Sequence, residues 1–418
     1  MGIVSSVGWA SLGYGVISVD KDENVVASLG RGVFPVLEPH LEELWKKHHG
    51  RITYSPDFSL LQDCPLVILV RDTPTNDDNT GNTDVLVDLV TRALPHVAQN
   101  GVFVSMSQVP VGFSRKIIAH IKEKRPDVQF FMWVETFVFG EAIKRFLEPE
   151  RIIVGVPDAS NKKLPDIFNE ALQKFNCPIL VMGLESAELT KAAINVYLAS
   201  SVTFTNTLAD LCEATGADID EIVPALQLDR RIGQYAYLRP SLGIGGGNIE
   251  RDLAMLGALP QNKKPPMFIH TIVDYNARRF DWLKEKIEEL VFSHVEHPRI
   301  SLWGLAYKKN TKSLKNSPAL KAIALLKDRA TLTAYDPMSK EMPTDQLENI
   351  VIAPDKYTVL KDADCLIVLT DWDEFKEFDI SKAAALMNKP VIIDTVKLLS
   401  QTLRNNSRSE IIYCSMGS

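Results

Sequence analysis

Short apolar runs alternate with amphipathic stretches over roughly the first 180 residues of the 418-residue chain. Such runs are typical of buried strands, and their alternation with helical patterns is typical of parallel βαβ units. The pattern predicts strands at 15–20, 66–70, 101–105, 151–155 and 178–181. This part of the chain is therefore predicted to form a doubly wound domain, which we assign to residues 1–183.

A long stretch without helix breakers follows. From Ser186 to about Glu213, apolar residues recur at close to helical spacing, and this length exceeds that of an average helix. The alternation resumes after His297-Pro298, with strands predicted at 300–304, 331–335, 365–369 and 391–394. The predicted fold class is α/β: two doubly wound Rossmann-like domains, 1–183 and 296–418, joined by a helical middle, 184–295, with a long central helix.

Charge and composition exclude several classes of function. The formal net charge is -7, and no cluster of Lys and Arg is long enough to follow a phosphate backbone, so nucleic acid is not expected as a partner. No apolar run approaches the ~18 residues of a membrane span, and the first residues do not resemble a signal peptide, so no membrane contact is expected. The five cysteines are scattered without a CxxC pair, which is typical of reduced thiols in the cytoplasm, and no metal site is predicted.

The first twenty residues contain part of a dinucleotide-binding fingerprint. In the complete motif a strand leads into G-x-G-x-x-G at the start of a helix, and a second strand ends in an acid that binds ribose. Gly2 has the position of the third glycine, and Asp20 has the position of the acid. The first strand and the first two glycines would lie before Met1. We expect either that this strand is encoded upstream or that another segment, for example from a partner chain, takes its place.

Short motifs follow one another along nearly the whole chain. They include Thr73-Pro74, Ser107-Gln108-Val109-Pro110, Ser186-Ala187-Glu188-Leu189-Thr190-Lys191, Asp229-Arg230-Arg231-Ile232-Gly233, Gly304-Leu305-Ala306-Tyr307-Lys308, Ser317-Pro318-Ala319-Leu320 and Tyr335-Asp336-Pro337. In this order the motifs resemble those of the UDP-glucose/GDP-mannose dehydrogenase family, whose members oxidise C6 of a nucleotide sugar to a uronic acid. No single motif is specific to this family, but so many motifs in the same order are specific to it.

The resemblance implies NAD as the cofactor, a nucleotide sugar as the substrate and a homodimer held by the helical middle. It assigns Lys191, Asn195, Asp252 and Glu135 to catalysis, and the first three to stabilising the oxyanion that forms as hydride leaves. The implied cofactor-binding positions are Gly2, Asp20, Thr73, Pro74, Gln108 and Lys315. The implied substrate-binding positions are Arg231, Gly243, Gly245, Gly246, Asn276 and Lys308.

The nucleophile of the family is replaced at Asn248. In the family a cysteine in a G-G-S-C-F-P-K-D loop attacks the C6 aldehyde, because a thiolate is both a good nucleophile and a good leaving group. The same stretch reads Gly245-Gly246-Gly247-Asn248-Ile249-Glu250-Arg251-Asp252 here, and an amide cannot take that role. Further departures from the family pattern fall at Gln108, Phe139, Arg251, Lys315 and Lys397.

These features leave three functions open. The first is an NAD-dependent oxidoreductase that stops after one hydride transfer, since Lys191, Asn195 and Asp252 remain while the nucleophile is lost. The second is a non-catalytic relative that binds a nucleotide sugar or a partner subunit, since the substitutions fall in the cofactor fingerprint and the nucleophile loop together. The third is a UDP-glucose 6-dehydrogenase with another route to the acid. A solvated helix face is the alternative interpretation of Lys191 and Asn195.

Overall fold

A computed structural model describes residues 1–36, 38–76, 80–259, 266–343, 345–347, 350–404 and 411–418 of the chain. The chain divides into two compact units, Met1–Ile194 and Asn195–Ser418. The predicted α/β class is confirmed, because sheets and helices alternate in both units. The domain boundaries at 183 and 295 stay predictions. None of the described helices is both long enough and apolar enough to cross a membrane.

Parallel pairing dominates the strands of the first unit. These strands are β1 (Val16–Val19), β2 (Ile52–Ser55), β3 (Leu66–Leu69), β4 (Val102–Ser105), β5 (Gln129–Trp133), β6 (Ile152–Val156) and β7 (Ile179–Gly183). The first two pair with each other as a parallel ribbon, and the others form a sheet in the order β3-β4-β5-β6-β7. β4 and β6 are buried on both faces, as expected for strands covered by helices on either side.

Helices connect these strands. They are α1 (Gly2–Ser11), α2 (Glu23–Gly30), α3 (Leu41–His48), α4 (Asp84–Ala93), α5 (Phe113–Lys124), α6 (Ala142–Leu147) and α7 (Asp166–Gln173). α1 carries no charged residue and is buried from Ile3 to Ala10, so hydrophobic burial rather than surface ion pairs holds it in place.

Aromatic side chains fill the space under α1. The Trp9 ring meets Trp133, Phe146 and Phe175 edge-on, with ring centroids 5.9, 5.6 and 5.3 Å away. A Cβ on Gly8 would come within 2.2 Å of the Phe146 ring. The helix therefore reaches this cluster only because residue 8 has no side chain.

A groove separates the ribbon from the larger sheet. Among the described residues β1 pairs only with β2, and β3 pairs only with β4. The other edges of β1 and β3 line a groove of about 570 Å³. Ser6 Oγ of α1 donates to Ser18 Oγ of β1 at 3.1 Å, and a Cβ on Gly2 would lie 3.5 Å from the carbonyl oxygen of Val70, just after β3. One helix thus touches both walls of the groove.

The second unit contains a fully parallel sheet. Its strands are β8 (Arg299–Trp303), β9 (Thr331–Tyr335), β10 (Val351–Ile352), β11 (Cys365–Val368), β12 (Val391–Asp394) and β13 (Ile412–Ser415). Their order is β10-β9-β8-β11-β12-β13, so the first strand of this unit is central. Its Trp303 is fully buried and stacks on Phe375 with ring centroids 4.7 Å apart, which anchors the core.

Long helices precede this sheet in the chain. The helices from Leu184 onwards are α8 (Leu184–Thr215), α9 (Ile219–Leu228), α10 (Asn248–Gly257), α11 (Met267–Ile287), α12 (Pro318–Leu326), α13 (Asp373–Lys376), α14 (Ile380–Leu386) and α15 (Ser400–Arg404). The predicted long central helix is therefore confirmed as α8, which begins in the first unit and continues into the second.

One sequence expectation about the sheet of the first unit is wrong. The alternating pattern predicts parallel βαβ units throughout, but β6 runs antiparallel to β5, with Met132 opposite Gly155 and Trp133 opposite Val154. The connecting residues 134–151 contain α6, which has only six residues. A full-length crossover helix, which would return the chain to the start of a parallel neighbour, is not formed in this segment. Strands β2, β5, β10 and β13 were not among the predicted strands.

The aromatic core of the first unit should dominate its stability. Phe168 is fully buried, with its ring centroid 5.7 Å from that of Phe131. We expect Phe168→Ala to lower the free energy of unfolding by about 3–5 kcal/mol, because it leaves a cavity among rings that cannot close it. The matched control, Ile167→Ala, changes an exposed neighbour and should cost under about 1 kcal/mol. Urea unfolding followed by tryptophan fluorescence measures both, and equal losses would contradict this account.

Candidate active site

The implied cofactor residues of the first unit lie at the carboxyl ends of its strands. Gly2 begins α1 beside Val70, which follows β3. Thr73 and Pro74 come next in the chain, and Thr73 Oγ1 donates to the carbonyl oxygen of Gln108 at 2.5 Å. Both Thr73 and Gln108 are buried. The segments after β3 and β4 are therefore joined at the edge of the sheet where ligands of parallel α/β sheets bind.

Asp20 follows β1 on the rim of the same groove as Gly2. Its Oδ1 accepts a hydrogen bond from the backbone N–H of Asp22 at 3.0 Å, whereas its Oδ2 has no partner among the described residues. One carboxylate oxygen is thus held in place while the other remains available to a ribose hydroxyl.

These positions fit a dinucleotide. α1 begins at Gly2 without a side-chain cap, so the first backbone N–H groups of the helix are directed past its end, where a pyrophosphate would bind. Gly2 places no side chain in the way, and Asp20 would supply the acid that contacts ribose. Gly2, Asp20 and Thr73 are the residues of the first unit that would hold NAD.

A buried ion pair joins β5 to α8. Lys191 Nζ lies 2.9 Å from Glu135 Oε1, with side chains only 12% and 9% exposed. Glu135 Oε2 accepts the backbone N–H of Phe137 at 2.8 Å, which fixes the carboxylate. An ammonium held in this way presents its remaining N–H groups in a defined direction. The structure therefore brings together two of the four implied catalytic positions.

Glu188 determines where α8 lies in the first unit. Its carboxylate, which is 1% exposed, accepts the backbone N–H of Gly112 at 2.6 Å and of Ser114 at 2.7 Å, at the start of α5. Burial raises the pKa of this carboxyl, and the two backbone hydrogen bonds oppose the rise. Glu188 precedes Lys191 by three residues, so this contact also fixes the turn that carries the lysine.

The other two implied catalytic residues meet inside the second unit. Asn195 Nδ2 donates to Asp252 Oδ2 at 2.5 Å, and both side chains are buried. Asp252 lies in the first half of α10, next to Arg251, whose Nε is 3.9 Å from Asp252 Oδ1. The amide therefore has one N–H engaged by a carboxylate and a second N–H free to be donated elsewhere.

The Gly-rich loop before α10 is held from two sides. Asn276 Oδ1 accepts the backbone N–H of Ile244 at 2.7 Å, and a Cβ on Gly243 would fall 2.3 Å from that oxygen. On the other side, Gly246 donates its N–H to the carbonyl oxygen of Lys315 at 3.2 Å. Both glycines have positive φ, 102° and 94°, and Gly245 lies against Tyr307 and Pro318. Side chains at 243 or 246 would break this packing.

Asn248 occupies the first position of α10, and its residue is exposed. Two residues later Glu250 accepts a hydrogen bond from Asn316 Nδ2, and burial raises the pKa of the Glu250 carboxyl. Asn316 follows Lys315 at the turn before α12. The loop that holds a cysteine in the family thus presents an amide here, and it is followed by a half-buried carboxylate that sequence reasoning did not single out.

The second doubly wound sheet has no free acid at the position that binds ribose in a dinucleotide site. Asp336 follows β9, as Asp20 follows β1, but it is fully buried. It accepts the backbone N–H groups of Leu305 and Ala306 at 2.7 and 3.1 Å and the indole N–H of Trp372 at 3.1 Å. The carboxylate of Asp336 therefore stabilises the turn at Gly304 and is not available to a ribose hydroxyl.

The remaining implied residues are placed separately. Lys308 Nζ lies 5.8 Å from the Tyr307 ring centroid. Arg231 is largely exposed and pairs with its own neighbour Asp229 at 2.6 Å. Lys397, at the position of a family arginine, is buried with Nζ 3.2 Å from Asp218 Oδ1 and 3.4 Å from Asp220 Oδ2. A structural ion pair therefore accounts for Lys397.

Family models match the chain over most of its length. Residues 1–175 match the NAD binding domain of the UDP-glucose/GDP-mannose dehydrogenase family, residues 185–278 its central domain and residues 301–401 its UDP binding domain.

Relatives extend over the same length. UDP-glucose 6-dehydrogenase TuaD of Bacillus subtilis is 31% identical and covers 100% of this chain and 91% of its own. UDP-glucose 6-dehydrogenase of Rhizobium meliloti is 30% identical and covers 94% of this chain and 92% of its own. A solved UDP-glucose dehydrogenase from Pyrobaculum islandicum has a TM-score of 0.85 at 23% identity, over 100% of this chain and 95% of that chain, which supports the fold.

The buried pair Lys191–Glu135 should be strongly coupled. In a double-mutant cycle of Lys191→Met and Glu135→Gln, we expect a coupling free energy of about 1–3 kcal/mol in urea unfolding, because either single change leaves a buried charge without its partner. The pair Arg115–Glu185, with side chains 45% and 47% exposed, is the matched control and should couple by less than about 1 kcal/mol. Equal coupling in the two cycles would show that burial of the Lys191 pair has no energetic consequence.

Proposed function

The chain belongs to the UDP-glucose/GDP-mannose dehydrogenase family, and we propose that it is an NAD-dependent oxidoreductase that removes one hydride from a UDP-sugar. The observation that carries the proposal is Asn248, an exposed amide at the position of the family nucleophile. The two polar pairs Lys191–Glu135 and Asn195–Asp252 are kept. This combination retains the means to oxidise an alcohol and lacks the thiol needed for a second oxidation.

The substrate of this proposal is a UDP-sugar with a primary or secondary hydroxyl. The match of residues 301–401 to a UDP binding domain supports the nucleotide, and the similarity to UDP-glucose 6-dehydrogenases supports glucose as the sugar. UDP-glucose is therefore the first substrate to test.

Oxidation of the alcohol requires a hydride acceptor, a base and a stabilised oxyanion. NAD, when bound, accepts the hydride. The substrate carbon loses that hydride and its hydroxyl loses a proton, so the products are a carbonyl, NADH and a proton. Lys191, held by Glu135 at 2.9 Å, donates to the oxygen as negative charge develops. Glu135 is the basic group of this pair and takes the proton.

Asn195 contributes the second donor to the oxyanion in this mechanism. It lies one turn after Lys191 on α8, and Asp252 fixes its amide at 2.5 Å. The N–H that Asp252 does not engage is available to the substrate oxygen. Asp252 thus acts as a positioning residue, because its carboxylate orients an amide that contacts substrate.

The reaction ends at the carbonyl because of the residue at position 248. A second hydride transfer requires a tetrahedral adduct of the aldehyde, and the family forms this adduct with a cysteine thiolate. The side-chain amide of Asn248 is not nucleophilic enough to form it. The product is therefore an aldehyde or ketone of the UDP-sugar. Return of the hydride from NADH to the other face of a ketone would give an epimer, whereas its return to an aldehyde would only restore the primary alcohol.

We expect one NADH per UDP-glucose consumed, with a carbonyl product that hydroxylamine traps. Lys191→Met should lower kcat by about 10²–10³-fold, because it removes an oxyanion donor. Asn248→Ala should leave the first hydride transfer nearly unchanged. Absorbance at the NADH band and mass spectrometry of the trapped sugar measure these quantities.

Two NADH per sugar with a uronic acid product would contradict single-hydride transfer. The variant Asn248→Cys sharpens this test. We expect it to form little acid, since Gln108 and Phe139 also depart from the family pattern. A large gain of acid in this variant would mean that residue 248 alone determines the outcome.

Cofactor binding distinguishes the proposed oxidoreductase from the non-catalytic alternative. Calorimetry of the full chain with NAD should show micromolar binding that Asp20→Ala weakens, because the carboxylate contacts ribose in the proposed site. UDP-glucose binding without NAD binding would replace an oxidoreductase with a nucleotide-sugar-binding protein.

We also propose a cytoplasmic location. All five cysteines are free in the described structure, and a reducing compartment keeps thiols in this form.

We also propose that the chain forms a homodimer. α8 presents Tyr197, Phe204 and Leu211, spaced by seven residues and all exposed. Leu228, the last residue of α9, and Tyr235, which follows that helix, are also largely exposed. Apolar residues grouped on one helix face at heptad spacing are typical of a surface covered by a partner. We assign this face to contact with a second copy of the chain.

Phe204→Glu should weaken the dimer at least about 30-fold in dissociation constant, because it introduces a charge at the centre of the apolar stripe. The matched control is Val351→Glu, which changes an exposed apolar residue on β10 and should leave the dimer intact. Sedimentation equilibrium measures both variants. A monomeric native chain, or equal effects of the two changes, would exclude this surface.

A further inference from the structure

The Gly-rich loop, residues 243–247, consists of glycine at every position except Ile244. Glycine loses more conformational freedom on folding than any other residue, so an ordered loop of this composition requires several restraining contacts. Asn276 supplies one of them, because its side-chain oxygen accepts the N–H of Ile244. The carbonyl oxygen of Lys315 supplies another, because it accepts the N–H of Gly246. A further contact lies where the loop enters α10.

This further contact joins Glu250 to Asn316. Glu250 is the third residue of α10, and its Oε2 accepts a hydrogen bond from Asn316 Nδ2. Asn316 has a positive φ of 50°, a conformation that asparagine adopts more readily than most residues. Its carbonyl oxygen would lie 3.1 Å from a Cβ on Gly245. Asn316 therefore packs against the loop with its backbone and holds the first turn of α10 with its side chain.

Glu250 and Asn248 point in different directions. Residues two apart in a helix do not face each other, and Asn248 is exposed whereas Glu250 is half-buried against the turn before α12. Glu250 therefore does not lie beside Asn248 on one helix face. Any effect of Glu250 on a bound substrate passes through the position of the loop and of the helix that follows it.

The surroundings of Glu250 explain why its carboxyl needs this partner. Burial raises the pKa of the carboxyl, while the hydrogen bond from Asn316 and the charges of Lys321 and Lys315 oppose the rise. A carboxylate withdrawn from water costs free energy unless it accepts hydrogen bonds. The G-G-S-C-F-P-K-D loop of the family has proline at this position, which offers no side-chain acceptor. The family pattern therefore does not form this contact.

We propose that Glu250 is a positioning residue, which through Asn316 holds the Gly-rich loop in the conformation that receives the sugar of a UDP-sugar. A loop that is ordered before the substrate arrives avoids the entropic cost of ordering it on binding. The contact acts on substrate affinity rather than on hydride transfer, since Lys191 and Asn195 contact the reacting oxygen in the proposed mechanism. The substrate in this inference rests on the proposed function, whereas the order of the loop does not depend on any activity.

Hydrogen exchange of the full chain without ligand tests the effect on the loop. Glu250→Ala should speed amide exchange in residues 243–247 by about tenfold, because the loop loses a restraining contact. Asn316→Ala should have the same effect, and the double variant should exchange no faster than either single variant, since both changes remove one hydrogen bond. Far-UV circular dichroism verifies that the variants are folded.

Glu221→Ala is the matched control. Glu221 is the third residue of α9, which has ten residues like α10, but its side chain is exposed. Its removal takes away the same favourable charge at a helix N-terminus and should leave exchange in residues 243–247 unchanged. The control thus separates the contact with Asn316 from the general effect of an acid in the first turn.

Kinetics and calorimetry with UDP-glucose test the effect on the substrate. Glu250→Ala should raise KM and the dissociation constant about tenfold and change kcat less than about threefold, as expected for lost binding that is equal in the ground and transition states. Glu250→Gln should bring both constants back to within about twofold of the native values, because its amide oxygen can accept the same hydrogen bond.

Asn316→Asp provides a readout that depends on pH. It places a second carboxyl against Glu250, and the two repel each other when both are charged. UDP-glucose binding to this variant should strengthen at least about fivefold between about pH 8 and about pH 6, because one carboxyl then takes up a proton and donates it to the other. Lys315 and Lys321 stay charged over this range. Binding to the native chain should change less.

Failure of this inference can be told apart from failure of the proposed function. A native chain that does not bind UDP-glucose would contradict the proposed function, while faster loop exchange in Glu250→Ala would still support the positioning role. Unchanged loop exchange in Glu250→Ala, or an equal effect of Glu221→Ala, would overturn the inference. A Glu250→Gln variant that behaves like Glu250→Ala would also overturn it, since the charge rather than the hydrogen bond would then be responsible.

Discussion

The buried carboxylate of Glu188 is the contact on which the arrangement of the candidate site depends. It accepts two backbone N–H groups at the start of α5, so it holds α8 against the N-terminal end of that helix without a charged partner. Three residues later Lys191 meets Glu135, and four residues beyond that Asn195 is held by Asp252. One helix thus carries both proposed oxyanion donors. The hydrogen bonds of Glu188 fix the position of this helix, and helical geometry then sets the spacing of the two donors.

The sequence predicted the fold class and the long helix well, because hydrophobic periodicity depends on local residue choice. It missed β2 and β5, although the run Phe130-Phe131-Met132 in β5 is strongly apolar and the turn residues Pro126-Asp127 precede it. The antiparallel placement of β6 could not be predicted, since strand direction depends on how the connection packs. Tertiary contacts decided the pairing.

The residues of the candidate site likewise divide into those that could be predicted from the sequence and those that could not. Resemblance found Lys191, Asn195, Asp252 and Glu135, and within each unit the structure places them in specific pairs. It could not find Glu250 or the structural use of Lys397, because both depend on partners distant in sequence, Asn316 for one and Asp218 for the other. The loss of the nucleophile followed directly from the identity of the residue at position 248. Its consequence for the reaction follows from the chemistry of thiols and amides, which the sequence alone does not describe.

The commitment of Asp336 has an evolutionary consequence. Four donors depend on its carboxylate: two backbone N–H groups after Gly304, the backbone N–H of Met338 and the Trp372 indole. A descendant that recruited this acid to a ribose would leave all four donors without their acceptor, so the second sheet is poorly suited to become a dinucleotide site. In the described structure Asp20 accepts one hydrogen bond, from the backbone N–H of Asp22. A change at Asp20 would therefore disturb the first sheet less, and its ligand preference can change more easily. The two halves have similar architecture but unequal evolvability.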